Sequence, residues 1–353
     1  MRVVYFTKYT RNGASSRLRS YQYFKPLANY GFDCKYLPLH SDKYLDLLYR
    51  KKFRLLEAGL SYFTRLLNIF TLNRKDIIVI EKELFPYVPA VFEFFLRRLG
   101  FHFIVDFDDA IHHNYDKHTN GVISLLLKNK IPNVMKYASH VIVGNSYLMD
   151  FANINNILHV TQIPTVIDET KYCSVNRFSE AITIGWIGTP YTSIYLNRLL
   201  PIFSNLYKKY GVKVLLIGAS PKDFELEFID CVSWSEDTEV ADIQKIDIGI
   251  MPLKDGFFER GKCGYKLIQY MACGIPVIAS PVGENRVIVD HGENGFLADS
   301  LDDWESLLEK LVINPKLRWD FGVSGFKKIQ QKYSISSQLL NLVKILSNGR
   351  ADV

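Results

Sequence analysis

Short apolar runs alternate along the chain with longer amphipathic stretches, and the pattern restarts after about residue 180. Short apolar runs of this kind predict buried strands, whereas the amphipathic stretches have the length of helices. Strands are expected at Val3–Thr7, Asp33–Leu37, Ile77–Glu81, Phe103–Phe107, Val141–Gly144, Ile157–Ile163, Ile182–Ile187, Val212–Ile217, Ile248–Met251 and Pro276–Ala279. Helices are expected at Ser16–Ala28, Ala90–Leu99, Gly121–Tyr137, Ser193–Lys209 and Tyr265–Ala272, with a further one opened by a capping box at Ser300.

This alternation predicts an α/β protein whose sheets are mostly parallel and covered by helices on both faces. An irregular stretch from Pro164 to about Glu180 is a plausible linker. We therefore expect two doubly wound, Rossmann-like domains, residues 1–165 and 180–332, facing each other across a cleft. Residues 333–353 are expected to form a C-terminal helix that packs back towards the N-terminal domain. Ligands of such sheets bind beyond the carboxyl ends of the strands, so the loops there should carry the chemistry.

Composition narrows the class of protein. A chain of 353 residues exceeds what one core usually organises, and 48% apolar with 23% charged residues is typical of a globular protein. The five cysteines are scattered without a zinc-binding spacing, so reduced thiols in a cytosolic compartment are expected. The N-terminal MRVVYFTKYT lacks the apolar core of a secretory signal. No apolar run reaches the roughly eighteen residues of a membrane span.

The net charge of +6 is concentrated in one segment. Residues 43–75 carry eight basic and two acidic side chains, together with many leucines and phenylalanines. Such a segment can lie on an anionic membrane surface, or it can be a core-facing helix pair with a solvated basic back. Nucleic acid is not an expected partner, because the cations cluster with lipid-like apolar residues.

The run KCGYKLIQYMACG places a glycine and two lysines where a helix begins. Gly264 permits close backbone approach, and the helix presents free N–H groups and the positive end of its dipole. Lys262 and Lys266 are unfavourable at that end unless an anion joins them, which indicates a phosphate ligand. The alternative is a solvated loop with incidental lysines. Glu259 and Arg260 add charge to the same loop, and Cys273 is expected to be buried.

Three carboxylates follow the expected strand Phe103–Phe107, at Asp106, Asp108 and Asp109. Carboxylates this close repel one another unless a cation, a hydrogen-bond donor or a substrate hydroxyl organises them. One interpretation is a divalent-metal clamp. The preferred one is that Asp108 or Asp109 faces the cleft and contacts a substrate, and the plainest is a helix N-cap with surface carboxylates. The pair His112 and His113 is expected to be structural.

Two further loops follow expected first strands. Gly13, Ser15, Ser16 and Arg17 lie between the first strand and first helix, where either serine is a natural N-cap. In the second half, Gly188 and Thr189 end a strand from which they can reach a ligand, whereas Trp186 is expected in the core.

The sequence from Met251 to Ala298 resembles the C-terminal donor-binding region of family 4 glycosyltransferases, which are retaining enzymes of the GT-B type. It reads MPLKDGFFERGKCGYKLIQYMACGIPVIASPVGENRVIVDHGENGFLA, a variant similar to those in bacterial surface-polysaccharide gene sets. Other motifs resemble the family in the same order: RNGASSRLR at 11–19, DFDDAI at 106–111, VIVGNSYL at 141–148, IPTVID at 163–168, IGWIGTP at 184–190 and DIGIMPL at 247–253. The resemblance covers about residues 1–330.

The resemblance implies roles for these residues. The implied catalytic residues are Lys262, Lys266, Asp108 and Asp109, and in the preferred interpretation Asp108 or Asp109 binds sugar hydroxyls or orients the acceptor. Trp234 and Glu236 are expected to lie beside the nucleotide base. The implied donor-binding residues are Gly188, Thr189, Glu259, Gly264, Tyr265 and Gln269. The implied acceptor-binding residues, in the N-terminal domain, are Gly13, Ser15 and Arg17, of which Arg17 is expected to face the donor diphosphate or an acidic acceptor. The sequence departs from the family at its two glutamates, since Gln269 stands at the second position and Gly261 at the first.

The expected function is transfer of a sugar from a nucleotide diphosphate donor to a glycan or polyprenyl-diphosphate-linked acceptor, in O-antigen, capsule or exopolysaccharide synthesis. No cofactor or metal is expected, because lysines and helix N–H groups would stabilise the leaving diphosphate. The protein is expected in the cytoplasm or on the inner face of the plasma membrane. A non-catalytic binding subunit and a sugar-nucleotide epimerase remain alternatives. A dehydrogenase is disfavoured, because no G-x-G-x-x-G follows the first strand.

Overall fold

The computed structural model describes residues 1–50, 52–174 and 181–348, without the side chain of Tyr49. Contacts between Cα atoms divide the chain into two compact units. The first unit comprises Met1–Thr165, Gly261–Cys263 and the described residues from Gln338 on, and the second comprises Val166–Arg260 and Gly264–Ser337. The domain limits expected from the sequence stay a prediction, and parts of them (residues 180 and 349–353) lie outside the described residues.

The first unit contains a six-stranded, all-parallel sheet with the strand order β2-β1-β3-β4-β5-β6. Its strands are β1 Arg2–Phe6, β2 Asp33–Tyr36, β3 Ile77–Glu81, β4 Phe103–Phe107, β5 His140–Val143 and β6 Val160–Gln162. Its helices are α1 Ala14–Arg19, α2 Phe24–Ala28, α3 Asp42–Tyr49, α4 Leu55–Ile69, α5 Val91–Arg98, α6 His113–Asp116, α7 Gly121–Leu127, α8 Lys130–Tyr137 and α9 Ser146–Ile154, with a 3₁₀ turn at Tyr21–Tyr23.

The second unit repeats the plan with the strand order β12-β11-β10-β7-β8-β9, again all parallel. Its strands are β7 Thr183–Ile187, β8 Lys213–Ile217, β9 Ile229–Val232, β10 Ile248–Met251, β11 Val277–Ala279 and β12 Gly295–Leu297. Its helices are α10 Leu200–Tyr210, α11 Glu239–Ile243, α12 Phe257–Arg260, α13 Tyr265–Ala272, α14 Asn285–Ile288, α15 Leu301–Ile313 and α16 Pro315–Lys332, with 3₁₀ turns at Ser193–Leu199 and Pro221–Asp223. A last helix, α17 Ile335–Asn348, begins in the second unit and continues into the first.

Each sheet is covered on both faces, which explains why its central strands read as continuous apolar runs. Every residue of β3 and β4 is buried, as is every residue of β10. Trp186 and Cys273 lie fully within the core of the second unit, which confirms their expected burial. Among the described residues, no helix combines the length and apolar character needed to cross a bilayer.

The expected elements agree best where apolar runs are long. The limits of β3, β4, β10 and α13 match the prediction, and the capping box of Ser300 with Asp303 is confirmed. The sequence missed β9 and β12, which are short. The helix expected over Ser16–Ala28 is broken by the 3₁₀ turn, and the one expected over Gly121–Tyr137 is two helices, α7 and α8.

Candidate functional site

A cluster of charged side chains lies at the carboxyl ends of β1, β3 and β4 in the first unit. These strands are neighbours, so the residues that follow each of them meet at one edge of the sheet. The cluster contains the carboxylates Glu81, Asp106 and Asp108, and the loop after β1 faces it with Ser15 and Ser16 of α1.

Asp106, the first of the three expected carboxylates, is held by Arg19 from α1. The guanidinium donates from Nε to Oδ2 at 3.0 Å and from Nη2 to Oδ1 at 2.6 Å, and Nη1 donates to the carbonyl of Ile163 at 2.9 Å. Both side chains are buried. This two-point geometry is the strongest that an arginine and a carboxylate can form, so Asp106 has a structural role. Arg19 was not singled out from the sequence.

Lys82 supplies the cation for the other two carboxylates. Its Nζ lies 2.7 Å from Oδ1 of Asp108 and 3.4 Å from Oδ2 of Asp109. Burial alone would lower the pKa of Lys82, but Asp108, Asp109 and Glu81 outweigh it, so the pKa is raised well above its usual value. The backbone of Lys82 has φ 67°, a strained conformation for a non-glycine residue that is concentrated at functional sites.

Asp108 accepts a further hydrogen bond from the Ser15 hydroxyl at 2.7 Å. Burial by itself raises the pKa of Asp108, yet Lys82, Arg19 and the hydrogen bonds from Lys82 and Ser15 together lower it to about 2. Asp108 is therefore ionised at neutral pH and acts as a hydrogen-bond acceptor, not as a proton acceptor.

Glu81 holds the serines that were expected to cap α1. Ser16 donates to Oε2 of Glu81 at 2.6 Å, and Ser15 lies 2.9 Å from Oε1. The N-cap of α1 is Gly13, without a side-chain hydrogen bond, so the prediction that one serine caps this helix is wrong. The two hydroxyls bind carboxylates because the strands bring Glu81 and Asp108 next to them. A Cβ on Gly13 would lie 2.4 Å from Cβ of Tyr9, so this turn needs glycine.

The other residues expected at this site differ in exposure and in their contacts. Asp109 is about half exposed, whereas Arg17 is buried. None of the three aspartates caps α6, whose N-cap is His112, so the N-cap part of that interpretation is wrong, whereas Asp109 is a partly exposed carboxylate. His112 stacks on Phe151 at 3.8 Å between ring centres, and His113 bonds Asp116 and Tyr147, as expected of structural histidines.

The metal-clamp interpretation requires a cation that organises the carboxylates. In the structure, protein side chains supply such cations, since Arg19 pairs with Asp106 and Lys82 pairs with Asp108. Within residues 1–50, 52–174 and 181–348, no three His, Cys, Asp or Glu side chains form a group that could hold a metal ion.

Residues Gly261–Cys263 belong to the first unit and close on the same edge of its sheet. Asn145 donates through Nδ2 to the carbonyl of Gly261 at 2.7 Å, and Cys263 Sγ lies 2.8 Å from the carbonyl oxygen of Asp108. A Cβ at Gly261 would lie 2.3 Å from Cβ of Ala110. A glutamate, which the resembled family has at this position, therefore does not fit here. Lys262 between them is half-buried.

In the second unit, α13 begins beside the carboxyl end of β7. Gly264 is its N-cap with φ 63°, a left-handed conformation that favours glycine. A Cβ there would also meet Cδ1 of Ile288 at 2.4 Å. Lys266, in the first turn, lies over the Trp186 ring at 4.3 Å from its centre. A Cβ at Gly188 would lie 2.8 Å from Lys266 Nζ, so this amine stands directly at the end of β7.

The N-terminus of α13 thus combines backbone N–H groups, a positive dipole end and one cation. Tyr265 is half-buried in its first turn, and Thr189 is exposed just beyond Gly188. Such an arrangement is suited to an anion, above all to a phosphate. The structure brings together Gly188 and Gly264 of the expected donor-binding residues and Lys266 of the expected catalytic residues.

Two acidic or amide side chains expected to bind a donor already have protein partners. Glu259 is buried, accepts a hydrogen bond from the Tyr195 hydroxyl at 2.5 Å and lies 3.9 Å from Nζ of Lys254. Gln269 is also buried and donates to the Tyr172 hydroxyl at 3.0 Å.

Tyr172 links Gln269 to a further set of hydrogen bonds in the second unit. Its hydroxyl donates to Oε1 of Glu239 at 2.9 Å, and the indole N–H of Trp234 donates to Oε2 at 2.6 Å. Trp234 is thus fixed by Glu239, five residues along the chain, and the expected partner of the base, Glu236, lies near Lys171 at 3.5 Å. The roles expected of Gln269, Glu259, Trp234 and Glu236 in donor binding stay predictions.

Two six-stranded parallel sheets with these connections define the GT-B class of α/β fold. The chain is similar over its whole length to sucrose-phosphate synthase from Thermosynechococcus elongatus, with a TM-score of 0.73 at 12% identity and 100% of both chains covered. It is also similar to Anabaena HepE solved in complex with UDP-glucose, with a TM-score of 0.72 at 14% identity, over 99% of this chain and 100% of that one. The GT-B fold expected from the sequence is confirmed.

Residues 181–313 match the model of the family described as glycosyl transferases group 1. Among curated proteins, the capsular polysaccharide biosynthesis glycosyltransferase CapM of Staphylococcus aureus is 24% identical over 181 residues, 47% of this chain and 45% of the relative. The D-inositol 3-phosphate glycosyltransferase of Corynebacterium jeikeium is 39% identical over 61 residues, 17% of this chain and 15% of the relative. The chain thus spans less than half the length of either relative.

Proposed function

We propose that this protein is a glycosyltransferase that moves a sugar from a nucleotide diphosphate donor to an acceptor hydroxyl. The observation that carries the proposal is the N-terminus of α13, where Gly264, Lys266 and Gly188 lie together within the segment that matches the glycosyl transferases group 1 family. Backbone N–H groups and a lysine amine there are suited to the diphosphate of the donor.

The same groups would serve catalysis. Negative charge develops on the diphosphate as the bond from the sugar to its oxygen breaks. A positioned donor aimed at such charge is worth about 3–4 kcal/mol of transition-state stabilisation. Lys266 and the α13 N–H groups are the donors that this proposal assigns, and Lys262 stays an expected contributor.

The carboxylate cluster of the first unit is assigned to the acceptor. Asp108 keeps its charge at neutral pH, so it accepts a hydrogen bond from an acceptor hydroxyl and orients it. The other residues expected to contribute are Asp109, next to Asp108, and Gly13, Ser15 and Arg17, which follow β1. The acceptor oxygen bonds to the sugar carbon as the bond to phosphate breaks, and the hydroxyl proton passes to the departing phosphate oxygen. Attack from the face of the leaving group would retain the anomeric configuration.

The cellular context is proposed from the resemblance and from CapM, whose name places that relative in capsular polysaccharide biosynthesis. The acceptor is accordingly a glycan or a polyprenyl-diphosphate-linked sugar, in capsule, O-antigen or exopolysaccharide synthesis. A lipid-linked acceptor suits a cytoplasmic protein on the inner face of the plasma membrane, held through residues 43–75.

The proposal is tested by incubating the protein with a panel of sugar nucleotides and lipid-linked or glycan acceptors, and by detecting the glycosylated product by mass spectrometry. Lys266→Ala should abolish product, whereas the matched control Lys310→Ala should not, since Lys310 lies over Phe296 at 5.2 Å, away from this site. An isomerised sugar nucleotide formed without acceptor would indicate an epimerase. Nucleotide binding without product across the panel would indicate a binding subunit.

A further inference from the structure

The outward face of α4 carries four apolar side chains, and two phenylalanines flank the helix: Leu56, Leu60, Phe63 and Leu67 on α4, Phe53 before it and Phe70 at its C-cap. We call these six residues the α4 stripe. The spacing of three and four residues places the four residues of α4 on one side of the helix. Each is at least half exposed, from 50% at Leu67 to 80% at Phe70. An exposed contiguous apolar surface of this kind marks an interaction site.

The opposite face of α4 already supplies the contacts that the fold requires. Ser61 and Arg65 are buried there, and Tyr62 donates its hydroxyl to the carbonyl of Pro86 at 2.6 Å. Leu66 and Ile69 pack against the core of the first unit. The helix is therefore apolar on both sides, which is typical of a helix whose outer side is also removed from water.

The neighbouring α5 extends the apolar surface. The connections from β2 to β3 and from β3 to β4 both run in the same direction along the sheet, so right-handed crossovers place α4 and α5 on the same face. The ring of Phe85 joins them, 5.5 Å from Tyr62 and 4.4 Å from Phe92. Phe95 on α5 and Leu99 at its C-cap are each more than half exposed.

Positive charge lies at both ends of the stripe. Lys52 and Arg54 precede α4, and the exposed Arg74 and Lys75 follow it. The acidic residues of the segment are neutralised, because Asp46 pairs with Arg50 and Glu57 pairs with Lys43. Lys51, expected to belong to this basic segment, lies outside the described residues.

Arg65 does not contribute to this basic surface, although the sequence counted it there. It is buried, donates to the carbonyl of Thr7 at 2.6 Å and stacks on Phe6 at 4.9 Å. The solvated cations of the segment therefore collect at the ends of α4.

We infer that the α4 stripe inserts into the surface of an anionic bilayer, with α4 parallel to the membrane plane and its terminal cations on lipid phosphates. An in-plane helix with aromatic and leucine side chains on one face and basic residues beside them is suited to that boundary. This inference names the residues behind the peripheral location proposed above, and it does not depend on sugar transfer.

The charges favour a membrane over a second copy of the chain. Two stripes that paired side by side would bring cations against cations whether the helices ran parallel or antiparallel, because both ends are basic. Anionic lipids would neutralise the same cations.

The test is co-sedimentation of the full chain, without substrates, with phosphatidylcholine vesicles that contain or lack phosphatidylglycerol. The wild type should sediment with the anionic vesicles and much less with the neutral ones. Leu60→Ser with Phe63→Ser should lower the affinity by about tenfold or more per substitution, because each removes a side chain that would leave water. Lys52→Glu with Arg54→Glu should lower it as well and weaken its salt dependence.

The control is Ile154→Ser with Leu158→Ser, which removes apolar side chains that are 79% and 87% exposed outside the stripe. This variant should bind vesicles like the wild type. Equal binding of the stripe variant, or no vesicle binding by the wild type, would overturn the inference. So would a wild-type dimer in sedimentation velocity that the stripe substitutions dissociate, since the stripe would then pair two copies. None of these outcomes bears on the proposed sugar transfer, which is tested separately by product formation from a soluble acceptor.

Discussion

Lys82→Met is the substitution whose effect the structure defines most closely. Methionine keeps the length of the side chain and the backbone cost of φ 67°, so the change isolates the loss of the charge. The ammonium lies 2.7 Å from Asp108, and the two side chains are only 5% and 12% exposed. The variant therefore leaves a buried carboxylate beside Glu81 without its closest cation.

The magnitude follows from the pKa of Asp108. Its shift from 3.8 to about 2 corresponds to about 2.4 kcal/mol of stability in favour of the ionised, folded form. Removing one partner of a buried ion pair costs about 3–5 kcal/mol, since the other charge stays buried and unpaired. We expect Lys82→Met to lose on the order of 3 kcal/mol at pH 7.

The pH dependence gives the sign. In the wild type, the contribution of Asp108 is present above its unfolded pKa of 3.8 and is lost as the pH falls through about 2. Without Lys82 the pKa of Asp108 rises, so the variant relieves its penalty by protonation at a higher pH. The stability difference between wild type and variant should therefore begin to shrink as the pH falls through the raised pKa of the variant, and should continue to shrink towards pH 2.

The assay is urea unfolding followed by circular dichroism, at pH 7 and at intervals down to pH 3. A double-mutant cycle with Asp108→Asn should give a coupling free energy of about 2 kcal/mol or more. The exposed Lys75→Met serves as the control and should change stability by less than about 0.5 kcal/mol. A coupling near zero, or a loss that does not vary with pH, would refute the reasoning.

Three further substitutions test other contacts. Gly261→Ala should destabilise the protein by about 1–3 kcal/mol in urea unfolding, because the new Cβ lies 2.3 Å from Cβ of Ala110. The control Gly59→Ala has open space around the new Cβ and should not destabilise the protein. Equal stability of the two variants would contradict this reasoning. Burial and His113 lower the pKa of His112 from 6.5 to about 4. The wild type should therefore lose about 2 kcal/mol of stability between pH 7 and pH 5, because the unfolded chain binds a proton at this histidine before the folded protein does. His112→Phe keeps the stacking on Phe151 and should remove that part of the loss, and an unchanged pH profile would count against it. Gln269→Glu should cost about 1–3 kcal/mol, because a carboxylate there competes with Glu239 for the single hydroxyl proton of Tyr172, and undiminished thermal stability would argue otherwise.

The agreement between sequence and structure follows the physics of burial. The strands β3, β4 and β10 were predicted with their limits because a parallel strand buried on both faces reads as an apolar run. In contrast, β9 and β12 are short and include aspartate or glycine, so their pairing depends on neighbouring strands that a local pattern does not contain.

The candidate site was predicted in its acidic and glycine residues but not in their partners. Asp106 and Asp108 stood out because carboxylates that repel one another need an explanation. Arg19 lies 87 residues from Asp106 in sequence. The two residues meet only because the carboxyl ends of β1 and β4 lie at the same edge of the sheet. Lys82 was missed because lysine gives no local signal for a positive φ, which tertiary contacts impose here.

The role of Ser15 and Ser16 shows the same limit. A serine after a turn and before a helix has a strong local preference for the N-cap position. Here Ser15 donates its hydroxyl to Asp108, and Ser16 donates to Glu81 and accepts from the Tyr9 N–H, so neither hydroxyl caps the helix. The local rule failed at a position where three strands deliver charged groups, which is where functional sites of such folds lie.

The central claim is that the N-terminus of α13 binds the diphosphate of a nucleotide donor, and calorimetric titration with nucleoside diphosphates tests it most directly. The tightest-binding diphosphate should lose about ten- to one-hundredfold in affinity with Lys266→Met, the range expected for a hydrogen bond to a charged group, and nothing with Lys310→Met. If no nucleoside diphosphate binds the wild type, or if Lys266→Met binds it with unchanged affinity, the claim is contradicted.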